Sequence, residues 1–509
     1  MAATTIATKG ASRQGSNFQW AFMMIALFLV GTMVLQIQQI PFETAGDALS
    51  QSKFAFLHPN QQESPVALPY EQRVSSPVIN DDSPPYHVVF STSCSAQQHW
   101  ESMVFFYHAM RVGQRGTVTR IASGCSEEES QSLKTFHERY IQPMSPNFFV
   151  HFTPDYSRLR LSGGKDAYKY MNKPYGLRHW MEHALGMRTN QTNSAAVEDG
   201  IVFLMDPDMI LLRPIVHDFS DVNNHLWVEN EPLTKVVRHG FPIAQQDGYL
   251  NNEWMKLNFS YIVNRPEGAF VSRPALEDGP RLWNTGPPYL ATVKDMYQIA
   301  VTWTEYAPRV LDVYPKLFAE MYGFIIATVQ LKLPHTLLKS IVVSTTTAAL
   351  SDAVVDQPIV DRCYRNREGW PLVDAIPDDQ ICDPSTTANM PIGLHYCKRY
   401  ILERNFFSKY RLRKNIMDCD KPLLQPPPTD MVVRKIDWGI WPPRADLSDR
   451  NIYNEERSKI RSKPKREAFM LCNLVRSINE ALRYHKELAC DGNANWNEVY
   501  NLYDDPARH

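Results

Sequence analysis

Residues 199–215 read DGIVFLMDPDMILLRPI. The five apolar residues Ile201 to Met205 have no polar face, which suits a strand buried on both sides in a parallel sheet. The run stops on two carboxylates, Asp206 and Asp208. Side chains on extended backbone repeat every two residues, so both point to the same side. Pro207 between them biases Asp206 to extended geometry and donates no ladder hydrogen bond. Two like charges at one strand end repel unless a positive group sits between them, and a hard divalent cation suits that place. A solvated Asp-Pro turn is the competing reading of the same triplet.

The segments before this stretch supply the rest of a sheet. HVVFST (87–92), TVTRIASG (117–124) and FFVHFT (148–153) read as strands. AQQHWESMVFFYHAMRVG reads as a helix ending near Gly113, and NKPYGLRHWMEHAL as a second, with Pro174 in its first turn. The order β-α-β-β-α-β predicts an α/β domain with a mainly parallel sheet. Ligands of such sheets bind at the carboxyl ends of the strands, where Asp206 and Asp208 stand. Further on, VKDMYQIAVTW and PKLFAEMYGFIIATVQL read as helices, the latter with Leu317, Met321, Phe324, Ile325 and Thr328 at helical spacing. SIVVST (340–345) reads as a strand. Residues 422–443 are dense in proline and read as a strap. The last segment, EAFMLCNLVRSINEALRYHKELAC, is an amphipathic helix with Met470, Leu474, Ile478 and Leu482 on one face.

The chain has 509 residues, 44% of them hydrophobic, enough for two or three domains and a large core. A formal charge of −2 and the lack of a basic run give no reason to expect a nucleic-acid partner. No charged residue occurs between Gln14 and Phe42. Lys9 and Arg13 precede this span, while Glu43 and Asp47 follow it. The expected layout is a cytosolic tail (1–17), a single transmembrane anchor (18–40) and a Ser-, Gln- and Pro-rich stalk (41–86), with the remainder lumenal. A cleaved signal peptide is the competing reading, but the apolar run is long for one and a small-x-small cleavage site is lacking. Either reading sends the chain into the secretory pathway, and a Golgi or endoplasmic-reticulum membrane is the expected location. Eight cysteines without a C-x-x-C pair suit disulfides there rather than zinc. Proximity in sequence suggests Cys94 with Cys125 and Cys472 with Cys490. Asn190 and Asn258 lie in glycosylation sequons.

Several blocks, in order, resemble the plant and algal hydroxyproline O-arabinosyltransferase and peptidyl-serine α-galactosyltransferase families. They are FSTSCSAQQHWESMVFFYHAMRVGQRGTVTRIASGC, NKPYGLRHWMEH, IVFLMDPDMILLRPI, AQQDGYL, GPPYLATVKDMYQIAVTW, AEMYGFIIATV, GLHYC and INEALRYHKELAC. DPDMI and AQQDGYL look closer to the serine branch, whereas Pro207 is arabinosyltransferase-like and LHYCKRY departs from both. The resemblance implies a GT-A-like glycosyltransferase domain over 87–400 and a C-terminal extension over 401–509. It implies retention of anomeric configuration, a UDP-sugar donor, a Ser- or hydroxyproline-rich protein acceptor, and manganese or magnesium as cofactor. Asp206 and Asp208 match the metal triplet, and His395 matches a late His that completes such a site. Arg120, Asn172, Lys173 and Gln246 are candidates for holding substrate; Asn172 and Lys173 open a helix whose N-terminus attracts anions. Asp247 and Glu320 are candidates for stabilising an oxocarbenium-like sugar or binding the acceptor hydroxyl, and Trp303 for stacking or the core. A non-catalytic lumenal binding protein on the same fold is the reading from another class.

Overall fold

Tyr86–Ser93 (β1) is the strand around which the sheet is organised. Its neighbours are Thr117–Ser123 (β2) and Ile201–Met205 (β4), both parallel to it, and β2 is flanked in parallel by Phe148–Thr153 (β3). These are the four strands read from the sequence. Beyond β4 the sheet continues through Thr285–Thr292 (β7), Ile243–Gln246 (β6) and Thr336–Leu338 (β8), in the order β3-β2-β1-β4-β7-β6-β8. β7 is antiparallel to both β4 and β6, whereas β6 and β8 are parallel. The sheet is therefore mixed but, as expected, mainly parallel, with four of its six pairings parallel. The strand that mixes it, TGPPYLAT, carries Gly286, Pro287 and Pro288, residues that read as a turn because proline donates no ladder hydrogen bond. All eight of its residues are nevertheless buried.

The computed structural model describes residues 83–504 except 160–166, 189–193, 222–224, 230, 248–251, 265–277, 345, 347–367, 384–389 and 439–449. The tail, the anchor, residues 41–82 of the stalk, Asn190 and Cys363 lie outside the described residues. Among the described residues, which all belong to one unit over 68–509, no helix is long and apolar enough to cross a membrane.

Alternate residues of β1 face opposite layers, as strand geometry requires. Val89 joins a core with Leu177, Trp180 and Met181 of the helix Asn172–His183. Val88 and Phe90 join another with Met103, Phe105 and Phe106 of Ala96–Arg111. We number the principal helices α1 (Ala96–Arg111), α2 (Glu127–Phe136), α3 (Asn172–His183), α4 (Val293–Val313), α5 (Ala319–Gln330) and α6 (Arg450–Ala489). α3 lies tight on the sheet at Gly176, where a Cβ would stand 3.0 Å from Ile121. α4 and α5 complete that layer. On the other side, Trp100 and Val104 of α1 pack against Met470, Leu474, Ile478 and Leu482 of α6, all fully buried. Each such side chain contributes roughly 1.5–3 kcal/mol.

Three expectations need correction. α5 is buried around almost its whole circumference, and the assumed face fails at Leu317, which precedes the helix and is exposed. Within SIVVST the strand proper is Val342–Val343 (β9), and the carbonyls of Ser340 and Ile341 accept from Ile392 N and Gly393 N ahead of it. Cys472 pairs with Cys382, and Cys490 with Cys419; Cys94 and Cys125 pair as expected. Cys472 lies within α6 and Cys490 just past its end, so at 1.5 Å per residue they stand roughly 27 Å apart and cannot be bridged.

Candidate metal and substrate site

β4 ends at Met205 and the chain resumes pairing at Met209–Leu211 (β5), leaving Asp206 and Asp208 in the gap. β5 pairs antiparallel with Gly393–His395 (β10), in the register His395 with Met209 and Gly393 with Leu211. Tyr396 N donates to the carbonyl of Asp208 at 3.0 Å and continues that ladder. A second, three-stranded sheet, β5-β10-β9, thus carries a late segment of the chain back to the end of β4. The pairing is close at Gly393, where a Cβ would lie 2.6 Å from the carbonyl oxygen of Ile210.

His395 Nε2 consequently lies 3.3 Å from Asp208 Oδ1 and 3.8 Å from Asp206 Oδ2. The three side chains offer ligand atoms all within 4.8 Å of one another. The outer carboxylate oxygens are held by ammonium groups: Lys173 Nζ is 2.7 Å from Asp206 Oδ1, and Lys409 Nζ is 2.5 Å from Asp208 Oδ2. One oxygen of each aspartate is thereby left toward the imidazole. Two carboxylates and an imidazole, oriented by outer partners, are a donor set that could hold a divalent metal ion.

Electrostatics bind this cluster together. Burial alone would raise the Asp208 pKa, but His395 and Lys409 hold it well below the usual carboxylate range. Burial works against charge on Lys173, yet Asp206 and Glu320 hold its pKa well above normal. Lys173 also lies 3.1 Å from Glu320 Oε1. Glu320 is buried, which raises its pKa against the pull of Lys173, and its Oε2 has no hydrogen-bond partner among the described residues. Its backbone is fixed at both ends: Trp303 Nε1 donates to its carbonyl at 2.7 Å, and its own N–H donates to Tyr168 Oη at 3.2 Å. Trp303 is a fully buried core residue, and its contact with the site passes through that backbone.

Gln246 ends β6 and Asp247 follows it, and both line a narrow cavity with Gln245, Gly286, Ser344, Glu368 and His395. Gln246 Oε1 is buried there without a hydrogen-bond partner among the described residues. The first turn of α3 does reach the site, through Lys173. Asn172 turns elsewhere: its Oδ1 accepts from Tyr156 N at 2.7 Å. Arg120 is not a surface residue. It is buried, donates from Nε to Thr92 Oγ1 at 2.8 Å and from a terminal nitrogen to Ser93 O at 3.1 Å, and its pKa falls to about 9 through burial. Its role is to tie the ends of β1 and β2. Asn258 is exposed, and its side chain caps a short helix at Tyr261 N.

Sequence reasoning missed two members of the cluster. Lys409 follows the small hairpin strand Asn405–Ser408, and nothing in FFSKYR marks it. Glu101 on α1 is buried, and burial and then Asp208 raise its pKa to about 7. A lone acid among the apolar residues of HWESMVFFYHAM was the available signal, as Glu320 is in AEMYGFIIATV.

No family model matches the chain. It is similar to a peptidyl serine alpha-galactosyltransferase of Arabidopsis thaliana, with 25% identity over 276 residues, which make up 51% of this chain and 28% of that protein. The match takes in little more than a quarter of the relative's length. The relative is of the kind that the sequence blocks resemble. Among solved structures, the galactosyltransferase LgtC in complex with donor and acceptor sugar analogues aligns with TM-score 0.32 and 11% identity, over 61% of this chain and 87% of that one. The bifunctional glycosyltransferase WbbM aligns with TM-score 0.29 and 10% identity, over 64% and 47%. Likenesses of that size assign no residue a role.

Proposed function

We propose that the chain is a glycosyltransferase of the serine galactosyltransferase kind, built on a GT-A-like plan. In this reading it moves a sugar, galactose in the first instance, from a UDP-sugar to Ser or hydroxyproline of secretory-pathway glycoproteins, with retention of configuration. The observation that carries the reading is the convergence of Asp206, Asp208 and His395, from distant segments, at the carboxyl end of β4. A divalent ion held there supplies charge stabilisation for a diphosphate leaving group. Lys173 and Lys409 keep the inner oxygens of the two aspartates turned to His395, and Lys173 adds positive charge beside the N-terminus of α3, where anions are favoured. Asp247 and Gln246 line the cavity that His395 also lines, which supports contact with the sugar or the acceptor hydroxyl. Glu320 enters the same reading through Lys173.

The charge-free span after Lys9 and Arg13, together with three disulfides among the described residues, supports a lumenal enzyme on a single Golgi or endoplasmic-reticulum anchor. Protease added to sealed microsomes is expected to spare residues 87–509; their digestion from outside rejects this topology.

The test of the chemistry is UDP release from a panel of UDP-sugars with a Ser- or hydroxyproline-rich peptide. UDP-galactose is expected to turn over with manganese and stop in excess chelator. A preference for a UDP-pentose moves the assignment to the arabinosyltransferase reading. One observation favours a binding protein on the same fold: a lysine already pairs with each aspartate. Binding of UDP and manganese without turnover of any donor would support that second reading.

A further inference from the structure

The motif NKPYGLRHWMEH contains more than the residues that open α3. His179 and His183 stand at i and i+4 and so share one face of the helix. Their ring centroids are 4.1 Å apart. The next element on that side is β3, the edge strand, whose His151 brings its Nε2 to 2.9 Å from His179 Nδ1. The three imidazoles come from two elements and form a group separate in composition from Asp206, Asp208 and His395.

We propose that His151, His179 and His183 form a second metal site, selective for a borderline transition ion such as zinc, copper or nickel. Three neutral imidazoles are the ligand set such ions prefer, whereas manganese and magnesium prefer carboxylate and water oxygens. Two of the nitrogens already stand 2.9 Å apart, a few tenths of an ångström short of the roughly 3.3 Å between tetrahedral ligands with bonds of roughly 2.0–2.1 Å, so a small parting of these two rings admits an ion. His183 is exposed; as placed, the three rings do not each bring a nitrogen within 4.8 Å of the others, and ligation requires the His183 ring to swing toward the other two on its solvent side. Burial first, and the neighbouring imidazoles second, lower the pKa of His151 to about 3 and of His179 to about 4, so both rings are neutral and able to ligate near pH 7. Arg178 Nε occupies Glu182 Oε1 at 2.8 Å, and Tyr297 Oη reaches the same oxygen at 3.1 Å, which leaves imidazole as the main donor type of the group. An ion here would staple the edge strand to the helix that delivers Lys173. The competing account is a His–His hydrogen bond, in which one ring donates and the other accepts.

The test uses the full chain with Asp206→Asn and Asp208→Asn, which removes the carboxylate ligands of the first site. The metal-stripped protein is titrated with zinc against a chromophoric chelator, and with cobalt by visible absorption. One equivalent is expected to bind, with a cobalt band of imidazole ligation. His179→Ala and His183→Ala are each expected to weaken zinc binding at least tenfold and remove the band. His183→Ala replaces an exposed residue, so it keeps the test decisive if His179→Ala folds poorly. Absence of zinc binding at equimolar concentration, or the same affinity in the His183→Ala protein, overturns the proposal and leaves the hydrogen bond alone.

Discussion

Replacing Lys173 by Met examines the joint on which the candidate site turns. The ammonium is 2.7 Å from Asp206 Oδ1 and 3.1 Å from Glu320 Oε1, and its side chain is only 13% exposed. Its removal strands Glu320, which is 3% exposed and whose Oε2 already lacks a partner among the described residues. Breaking one side of a buried ion pair costs about 3–5 kcal/mol, because a charge stays behind without compensation. For the unit of residues 68–509, the unfolding entropy is roughly 0.9 kcal/mol/K, so Lys173→Met should lower the melting temperature by about 3–5 °C. The deficit must depend on pH. Without Lys173, burial raises the Glu320 pKa further, the folded state then binds a proton that the unfolded state releases, and stability falls as pH rises above the ordinary carboxylate range. The deficit should therefore be larger at pH 8 than at pH 5. Glu320→Gln added to Lys173→Met removes the stranded charge and should recover most of the loss. Thermal and urea unfolding of the four proteins of this cycle measure the coupling. A deficit below about 1 kcal/mol at pH 8, or single effects that simply add, would refute the argument, since it would mean that solvent screens the triad.

Asp206→Asn and Asp208→Asn should each lower transfer at least a hundredfold while the fold survives; at 1.36 kcal/mol per decade this corresponds to about 3 kcal/mol of lost charge stabilisation, and undiminished turnover in either variant counts against the metal reading. Glu101→Gln should stabilise the protein at pH 8 by up to about 3 kcal/mol and have little effect at pH 4. The raised Glu101 pKa of about 7 means that folding binds a proton above the ordinary carboxylate range, so the native residue lowers stability as pH climbs; equal melting shifts at both pH values speak against this. Gly393→Ala should push β10 away from Ile210 and weaken manganese binding more than it weakens the fold, which calorimetry of manganese binding beside a thermal melt can separate.

The sequence itself determined the parts that depend on local pattern. The apolar run before Asp206 specified a buried strand, period-two and period-3.6 patterns specified β1 to β4 with α1 and α3, and the face of α6 was readable from Met470 to Leu482. Local pattern also exposed Glu320 as a charge out of place in an apolar helix. It did not reveal β7, because two prolines and a glycine carry turn propensity that burial between β4 and β6 overrides. Nor did it give the disulfides of α6, since sequence proximity ignores the length of a helix. Only the tertiary structure decided which charges meet. The second sheet sets His395 beside Asp208, α3 delivers Lys173 to Asp206 and Glu320, and a hairpin beyond residue 400 brings Lys409 to Asp208. Each of these contacts joins residues far apart along the chain. Their pairing is fixed by strand register and helix packing, which no short window of sequence contains.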